Sequence, residues 1–436
     1  MESIWSATAQ ESQLRKSKLT SHIKTDVLII GGGMAGILTA FKLKEAGVKV
    51  AVAEAKTIGS GVTKNTSAKI TAQHGLIYER IIKRYGEYKA KQYYNANSKA
   101  IEDFYILSQI YPCDFERKKA FVYANNYHDA RALELEEKAY RQLKIPATVC
   151  KKLPLPINTT KALSMESQAQ FNPLKLLHAL ANELEIYENT FIADIKRGRA
   201  ISKTGSISAE HIVLATHFPL INIPGLYFMK LYQHRSYCLA LKGAADVNGM
   251  YVDIKENGLS FRNYSELLII CGADHKTGKK SGAFAKLRAF AASAYPTAKE
   301  NYHWATQDTM SLDAVPYIGQ HSDRRPNLYI ATGFNKWGMT GSMVSARVIC
   351  DLIIKGKSEY EALYSPKRSM MSKQLLVNGF SAAAGLLSLG SPRCTHMGCK
   401  LKWNSAEKTW DCSCHGSRFC KEGHVIDNPA KRRLRF

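Results

Sequence analysis

The feature that most constrains this 436-residue chain is a group of cysteines and histidines near its C-terminus. Five of its ten cysteines lie there, in and around two short boxes. The first box is Cys394-Thr-His396-Met-Gly-Cys399 and the second is Cys412-Ser-Cys414-His415. Because thiolate and imidazole are strong metal ligands, two of each on two short loops predict a metal centre.

Both zinc and an iron–sulfur cluster can be held by cysteine and histidine. Zinc loops usually carry Cys-x2-Cys pairs, and these boxes fit that pattern poorly. Histidines replace two cysteines on one iron in [2Fe–2S] centres of the Rieske type. The boxes resemble those of the Rieske family closely, and Trp403, Phe419 and Pro429 stand where that family has similar residues.

This resemblance implies a compact all-β Rieske [2Fe–2S] domain at 391–436, which we call the tail. The ligands that it implies are Cys394, His396, Cys412 and His415. It also implies that Cys399 and Cys414 form a disulfide that braces the two loops. Phe419 stands where the family often has a tyrosine, and the missing hydroxyl should lower the reduction potential of the cluster.

The other cysteines are scattered along the chain and are interpreted as packing residues. They are Cys113, Cys150, Cys238, Cys271 and Cys350, while Cys420 lies outside the ligand pattern of the tail and is interpreted as incidental. Residues 1–21 lack the apolar core of a signal peptide, and no long apolar run predicts a membrane span. We therefore expect a cytoplasmic protein with mostly reduced thiols. Residues 366–390 are interpreted as a linker, with peripheral membrane contact as an alternative.

A glycine-rich turn near the N-terminus predicts a dinucleotide site. It lies between an apolar, β-branched run and a helical segment. Gly31 permits the tight turn, Gly33 lets the backbone approach a pyrophosphate, and Gly36 lets the helix pack on the strand. Glu54 ends the next strand, where it can bind ribose hydroxyls and disfavours a 2′-phosphate. NAD and FAD fit this pattern, and a purely structural turn is the alternative.

Two distant segments favour FAD. Residues 313–319 (DAVPYIG) and 332–341 (TGFNKWGMTG) include a second glycine-rich turn that opens a helix. With the N-terminal unit they resemble the family of FAD-dependent D-amino acid oxidases and amine dehydrogenases, over residues 24–365. The resemblance implies an α/β fold with a Rossmann-like FAD-binding domain and an inserted β-rich substrate domain, followed by the small C-terminal all-β Rieske-type domain.

The resemblance also implies domain boundaries and FAD contacts. The FAD-binding parts are expected at 24–75, 150–225 and 306–365, and the substrate parts at 76–149 and 226–305. The segment 59–75 lies where the family threads its chain along FAD, with a plain loop as the alternative. The predicted contacts are Gly31, Gly33, Met34, Ala35, Gly36, Glu54, Thr66, Ser67, Ala68, Thr216, Gly333, Gly338, Met339 and Thr340.

A flavin accepts two electrons, whereas a Rieske centre passes one at a time. Their presence in one chain predicts a dehydrogenase whose flavin is reoxidised through the cluster. The resemblance implies that it acts on the CH–NH or CH–NH2 group of an amine or amino-acid-like substrate. The expected acceptor is an acidic electron-acceptor protein or a quinone. A non-catalytic electron-transfer or redox-sensing protein is the alternative.

The substrate is expected to be a cationic amine. Amino acid oxidases of the resembled family often bind the substrate carboxylate with an arginine shortly before the segment matching 313–319, and Asp308 occupies that place. An acid there argues against an α-amino acid. Arg262, Tyr237 and His275 are the other polar candidates for the cleft, with structural roles as the alternative, and no general base is assigned.

The chain carries 61 Lys and Arg against 37 Asp and Glu, a formal net charge of +24. No nucleic-acid-binding motif accompanies this excess, so nucleic acid is not expected as a partner. Resembled Rieske proteins expose their histidine ligands at a tip, so basic residues around the boxes predict a rim that steers an acidic partner. This basic rim comprises Arg393, Lys400, Lys402, Lys408, Arg418 and Lys431–Arg435. A solvated basic surface without a partner is the alternative.

Overall fold

The structure is a computed structural model that describes residues 1–9, 16–279, 282–388, 390 and 392–436. The helices of this part are α1 (Ile4–Thr8), α2 (Met34–Glu45), α3 (Tyr78–Tyr85), α4 (Glu87–Ile110), α5 (Tyr127–Gln142), α6 (Pro173–Asn182), α7 (Tyr227–Lys230), α8 (Ala283–Ala294), α9 (Gly338–Lys355), α10 (Glu361–Tyr364) and α11 (Lys373–Leu387). The strands are β1 (His22–Ile30), β2 (Val50–Ala53), β3 (Lys69–Ile70), β4 (Glu116–Ala124), β5 (Thr148–Cys150), β6 (Lys161–Gln170), β7 (Glu185–Tyr187), β8 (Asp194–Lys196), β9 (Arg199–Ile201), β10 (Ser206–Leu214), β11 (Leu231–Lys242), β12 (Met250–Asp253), β13 (Ser260–Tyr264), β14 (Leu267–Lys276), β15 (Lys299–Ser311), β16 (Tyr317–Ser322), β17 (Arg325–Thr332), β18 (Leu401–Asn404), β19 (Thr409–Cys412), β20 (Arg418–Cys420) and β21 (Val425–Asp427).

The first sheet is built around β1 and has the order β16-β17-β10-β1-β2-β7, with β9 beside β10. β1 pairs in parallel with β2 and β10, and its last four residues are buried because helices cover the sheet. Helices α2 and α9 pack against each other beside it. The strand–turn–helix–strand unit predicted from the glycine-rich turn is therefore confirmed, and the α/β fold class with it.

The second sheet is mostly antiparallel and has the order β15-β11-β14-β13-β12-β4-β6-β3. Strand β6 pairs with β4 along most of its length. The sequence placed β6 in an FAD-binding part, whereas the structure places it in the same sheet as the β-rich segments. This sheet forms one wall of the smaller cavity described below, and its Asp308 also lines the larger cavity.

Cys238 and Cys271 form a disulfide, so their interpretation as separate packing residues is wrong. They lie directly opposite each other on the antiparallel strands β11 and β14. Because opposite residues on such a pair bring their Cβ atoms close together, the two thiols meet. Cys113 and Cys350 are buried free thiols, as expected of packing residues.

The tail forms the antiparallel sheet β18-β19-β20-β21, which confirms the all-β C-terminal domain. The segment 366–390, interpreted as a linker, contains helix α11. Ser372 caps this helix by accepting a hydrogen bond from the backbone N–H of Leu375, at 3.2 Å. Its leucines and alanines are good helix formers, which explains a helix where sparse charge and glycines had favoured a linker. Among the described residues, no helix combines the length and apolarity that crossing a bilayer requires.

The tail is tied to the second sheet through a buried carboxylate. Glu407 pairs with Arg235 of β11 and, at 2.7 Å, with Arg418 of β20. The side chains of all three residues are 5% exposed or less. Although burial opposes ionisation, the two guanidinium groups lower the pKa of Glu407. Arg418 also pairs with Asp411 and Asp427, so it is a buried structural residue and its assignment to the basic rim is wrong.

Replacing Glu407 by glutamine should loosen the tail. The variant Glu407→Gln leaves Arg235 and Arg418 without their shared carboxylate, and breaking a buried ion pair costs about 3–5 kcal/mol. We expect the free energy of unfolding, measured by urea denaturation, to fall by an amount of this order. Lys408→Gln, at an exposed neighbour, is the control. Equal stability of the two variants would contradict the role given to Glu407.

Candidate active site and metal centre

The glycine-rich turn after β1 has two glycines that the fold itself requires. Gly31 has a φ of +115°, and a Cβ there would collide with the carbonyl oxygen of Ala215. A Cβ at Gly36 would collide with the carbonyl oxygen of Gly31. At Gly33, however, a Cβ would meet no protein atom closer than Thr63 Oγ1, at 3.4 Å. Space in front of Gly33, at the start of α2, fits a phosphate that approaches the backbone.

Glu54 holds this turn from the end of β2. Its carboxylate accepts hydrogen bonds from the backbone N–H groups of Gly32, at 2.7 Å, and Lys56, at 2.8 Å. Burial raises the pKa of Glu54, and these two bonds act in the opposite direction. The carboxylate is therefore fixed beside the turn, as the predicted ribose contact requires.

A larger cavity of about 470 Å³ opens in front of the turn. Most of the predicted FAD contacts line it. They are Gly31, Gly33, Met34, Ala35, Glu54, Thr66, Thr216, Gly338 and Met339. The N-terminus of α9 opens onto the cavity through Gly338 and Met339, so two helix N-termini face this space and favour negative charge in it.

The other predicted contacts lie outside the lining of the larger cavity. They are Gly36, Ser67, Ala68, Gly333 and Thr340. Thr340 donates a hydrogen bond to the carbonyl of Thr71, at 3.1 Å. Arg262 donates to the carbonyls of Ser67, at 3.0 Å, and Ala68, at 2.7 Å. Arg262 thus fixes the backbone of the loop next to Thr66 without lining the larger cavity, which is a structural role.

A smaller cavity of about 280 Å³ adjoins the larger one. Thr66, Asp308 and Lys336 line both. Burial raises the pKa of Asp308 to about 6, while Lys336 acts to lower it. Lys336 forms an ion pair with Asp274, another residue of the smaller cavity. The junction of the two cavities therefore carries two carboxylates and one ammonium group.

Two acceptor atoms of the smaller cavity have no hydrogen-bond partner among the described residues. They are Asp274 Oδ1 and Thr306 Oγ1, and both are buried. Lys69 also lines this cavity and lies 3.3 Å, by its Nζ, from Ser260 Oγ. Burial, with the nearby charge of Arg262, lowers the pKa of Lys69 to about 7. A buried amine that titrates near neutrality can accept a proton at physiological pH.

Tyr237 and His275, predicted as cleft residues, lie outside the lining of both cavities. The Tyr237 hydroxyl lies 3.0 Å from His275 Nε2 and donates to Glu407 Oε1, at 3.2 Å. Both residues thus belong to the contact between the second sheet and the tail. Of the four predicted cleft residues, Asp308 alone lines either of these two cavities.

The metal-ligand boxes come together at one end of the tail. Backbone N–H groups of His396 and Met397 point at the sulfur of Cys394, and those of Cys414 and His415 at the sulfur of Cys412. Such donors stabilise thiolates.

The two histidines of the boxes lie side by side. The rings of His396 and His415 have centroids 5.0 Å apart. Their Nδ1 atoms are buried and have no hydrogen-bond partner among the described residues. Two thiolates and two free imidazole nitrogens are the donor set of a Rieske-type [2Fe–2S] cluster.

A disulfide joins the two boxes. Cys399 and Cys414 are bonded to each other, as the Rieske resemblance implies. The Sγ atoms of this pair and of Cys412 lie within 4.8 Å of one another. The bond therefore fixes the second box against the first.

The histidine side of the boxes faces the body of the protein, which overturns the expectation of an exposed tip. His415 is 3% exposed, hydrogen-bonds the backbone of Phe228, and has its ring centroid 6.1 Å from that of Phe228. The ring of His396 lies 6.3 Å from that of Phe218. His415 is therefore covered, whereas His396 is half-buried and has Lys431 of the basic rim nearby.

The tail also completes the larger cavity. Residues 425–431 line it, opposite the glycine-rich turn. Asn428 fixes this segment by donating to the carbonyls of Thr216, at 2.7 Å, and Phe218, at 2.9 Å. Lys56 donates to the carbonyl of Ile426, at 3.1 Å. The two halves of the chain thus share one site.

Sequence reasoning missed several residues of these cavities. Lys69 and Lys336 left a usable signal, since each is the single charged residue in a short run of apolar, small and polar residues. Thr63 accepts a hydrogen bond from the backbone N–H of Met34, at 3.1 Å. Neither Thr63 nor the segment 425–431 left such a signal, because the folded chain alone brings them to the cavity.

Two family models divide the chain in the same way. The model described as FAD dependent oxidoreductase matches residues 26–352, and the one described as Rieske [2Fe-2S] domain matches residues 364–436. The putative Rieske 2Fe-2S iron-sulfur protein YhfW of Bacillus subtilis (strain 168) is 35% identical to this chain. That match covers 96% of this chain and 94% of YhfW.

Solved structures show the same fold in the oxidoreductase part. Glycine oxidase from Geobacillus kaustophilus matches with a TM-score of 0.69 and 19% identity, over 80% of this chain and 100% of that one. L-proline dehydrogenase from P. horikoshii matches with a TM-score of 0.65 and 18% identity, over 79% and 98%. The cavities fit the cofactors of the two matched families, and the chain binds FAD and a [2Fe–2S] cluster.

Removing one thiolate should abolish cluster binding, while a nearby cysteine should be dispensable. We expect Cys394→Ser to lose most of its iron and acid-labile sulfide, because the serine hydroxyl is a poor substitute for thiolate. Cys420→Ser, at a free cysteine outside the boxes, is the control and should keep both. Iron and sulfide analysis with EPR of the dithionite-reduced protein is the measurement. A full complement of iron in Cys394→Ser would exclude this ligand.

Proposed function

Because the chain belongs to the FAD-dependent oxidoreductase family and carries a Rieske [2Fe–2S] domain, we propose that it is an amine dehydrogenase that delivers electrons through its cluster. FAD held at the larger cavity would supply two-electron chemistry at a C–H bond next to nitrogen, and a [2Fe–2S] cluster held by the boxes would supply one-electron transfer to an external acceptor. The assigned cluster ligands are Cys394, His396, Cys412 and His415.

The observation that carries this proposal is the position of the tail. Its segment 425–431 lines the larger cavity, and His415 packs against Phe228 of the oxidoreductase part. The histidines that would hold the cluster therefore lie on the side of the tail that faces the oxidoreductase part. An oxidase that reduced oxygen directly would have no use for a second redox centre docked in this way.

The polar groups of the smaller cavity support a cationic amine as the substrate. Asp308 lies at its junction with the larger cavity, and the free acceptors Asp274 Oδ1 and Thr306 Oγ1 line it. Carboxylate and hydroxyl oxygens can accept the N–H groups of an ammonium ion. Asp308 stands in the place where the resembled amino acid oxidases bind a substrate carboxylate, and its negative charge would repel that group.

Lys69 supplies a place for the proton that the amine must lose. A protonated amine has no lone pair, so the substrate has to be deprotonated before its C–H bond can be oxidised. Since the pKa of Lys69 is about 7, its Nζ is partly neutral at physiological pH and can take up this proton. We assign Asp308 to binding and Lys69 to proton acceptance.

Amine binding should depend on the ionisation of Asp308. Because its pKa is about 6, the carboxylate forms as the pH rises through that value, and amine affinity should rise with it. In Asp308→Asn the rise of amine affinity with pH should disappear, and the variant should bind the amine about ten- to a hundredfold more weakly. Binding is followed through the flavin absorbance under anaerobic conditions, and Asp323→Asn, at an exposed acid, is the control. An unchanged profile in Asp308→Asn would remove it from the substrate site.

Anaerobic reduction by a panel of amines tests the function itself. Polyamines and N-methylated amines should bleach the flavin band and then give the EPR signal of the reduced cluster. Bleaching by D-amino acids alone would overturn the cationic amine without a carboxylate. The absence of bleaching by any amine would favour a non-catalytic electron-transfer or redox-sensing protein.

A further inference from the structure

Helix α11 exposes an apolar stripe to solvent. Leu376, Phe380, Ala383 and Leu387 are spaced four, three and four residues apart, so they lie on one face of the helix. Leu376 is 64% exposed, Phe380 76% and Leu387 81%. Exposed side chains of this size in one row are uncommon on soluble proteins and mark an interaction surface.

The opposite face of α11 packs against the protein. Asn378 donates a hydrogen bond to the carbonyl of Met229, at 3.2 Å. A Cβ at Gly385 would collide with the Sγ of Cys414, so the helix lies directly on the disulfide of the tail. The carbonyl of Gly385 accepts from the backbone N–H of Lys400, at 3.0 Å. These contacts fix the orientation of the helix and turn the apolar stripe outward.

The composition of α11 also indicates an apolar environment. Lys373 is the only charged residue in its sequence, KQLLVNGFSAAAGLL. Met371, just before the helix, is 80% exposed and extends the apolar surface. A solvated surface helix would carry charges on its outer face, so this helix is adapted to an apolar environment.

Exposed arginines flank the stripe at both ends. Arg84 donates to the carbonyl of Met371, at 2.8 Å, just before the first turn of α11. Arg393 donates to the carbonyls of Leu386, at 3.2 Å, and Ser388, at 2.9 Å, at the last turn. The whole chain has a net charge of +24. The partner must therefore offer hydrocarbon to the stripe and negative charge on either side of it.

We propose that α11 is an interfacial helix that docks the protein on an anionic phospholipid bilayer. The stripe enters the boundary between headgroups and acyl chains, and the flanking arginines contact lipid phosphates. A second copy of the chain is the less suitable occupant, because two surfaces with the same excess of positive charge repel each other. With fifteen residues, α11 is too short to span a bilayer and lies along its surface.

Vesicle co-sedimentation of the full-length holoprotein tests this proposal. The wild type should sediment with vesicles that contain phosphatidylglycerol, and much less with pure phosphatidylcholine. The double variant Phe380→Glu/Leu387→Glu places two carboxylates in the stripe and should reduce binding by about tenfold or more. Tyr127→Glu, at an 85% exposed tyrosine of another helix, is the matched control and should bind like the wild type.

A second variant tests the contribution of the two flanking arginines. Arg84→Gln/Arg393→Gln keeps the stripe and should weaken binding to phosphatidylglycerol vesicles by roughly thirtyfold, because each of the two basic residues near an anionic surface contributes about 1 kcal/mol. Raising the salt concentration should act in the same direction. Iron and flavin content of every variant reports that the protein is folded.

Three outcomes would overturn the proposal. The wild type could fail to sediment with phosphatidylglycerol vesicles, or the stripe variant could bind as well as Tyr127→Glu. Alternatively, the wild type could be a dimer by light scattering that the stripe variant dissociates, with no vesicle binding, in which case a second copy covers the stripe. Sedimentation does not involve turnover, so its outcome does not depend on whether the amine dehydrogenase proposal is correct.

Discussion

The arrangement of this protein depends on one buried carboxylate. Glu407 lies between Arg235 of the second sheet and Arg418 of the tail, and all three side chains are almost inaccessible to water. Buried ions are tolerated only when they are paired, and Arg235 keeps Glu407 as its partner only when the tail lies in this position. This requirement orients the tail more strictly than apolar contact alone could do. It directs the histidine boxes toward the larger cavity and the disulfide toward α11.

That orientation distinguishes this chain from the exposed-tip arrangement expected by analogy. Here Phe218 and Phe228 cover the rings of His396 and His415. Among the basic residues of the tail, Lys431 lies near His396 and lines the larger cavity, whereas Arg393 lies at the last turn of α11. An external acceptor has to approach the cluster from a side other than the one that faces the cavity.

Local features could be predicted from the sequence, and features set by strand register could not. The roles of Gly31 and Gly36 follow from steric limits within one turn, and the two ligand boxes are short enough to be recognised in isolation. By contrast, Cys238 and Cys271 meet only because β11 and β14 pair in one register. The same holds for the charges. Arg418 is predicted to be a surface charge, but the fold buries it among three carboxylates. Helix α11 is not predicted, because its segment carries little charge and apolar residues on one face alone do not distinguish a helix from a linker.

The cavity wall formed by residues 425–431 has a consequence for biosynthesis. The glycine-rich turn and Glu54 leave the ribosome long before this segment is made, and at about 5–20 residues per second the delay is tens of seconds. During that interval the nascent chain can fold β1, α2 and β2, but one side of the cofactor cavity stays open to solvent. FAD can therefore enter the cavity before the tail docks, and residues 425–431, which are made much later than Glu54, then close one side of it.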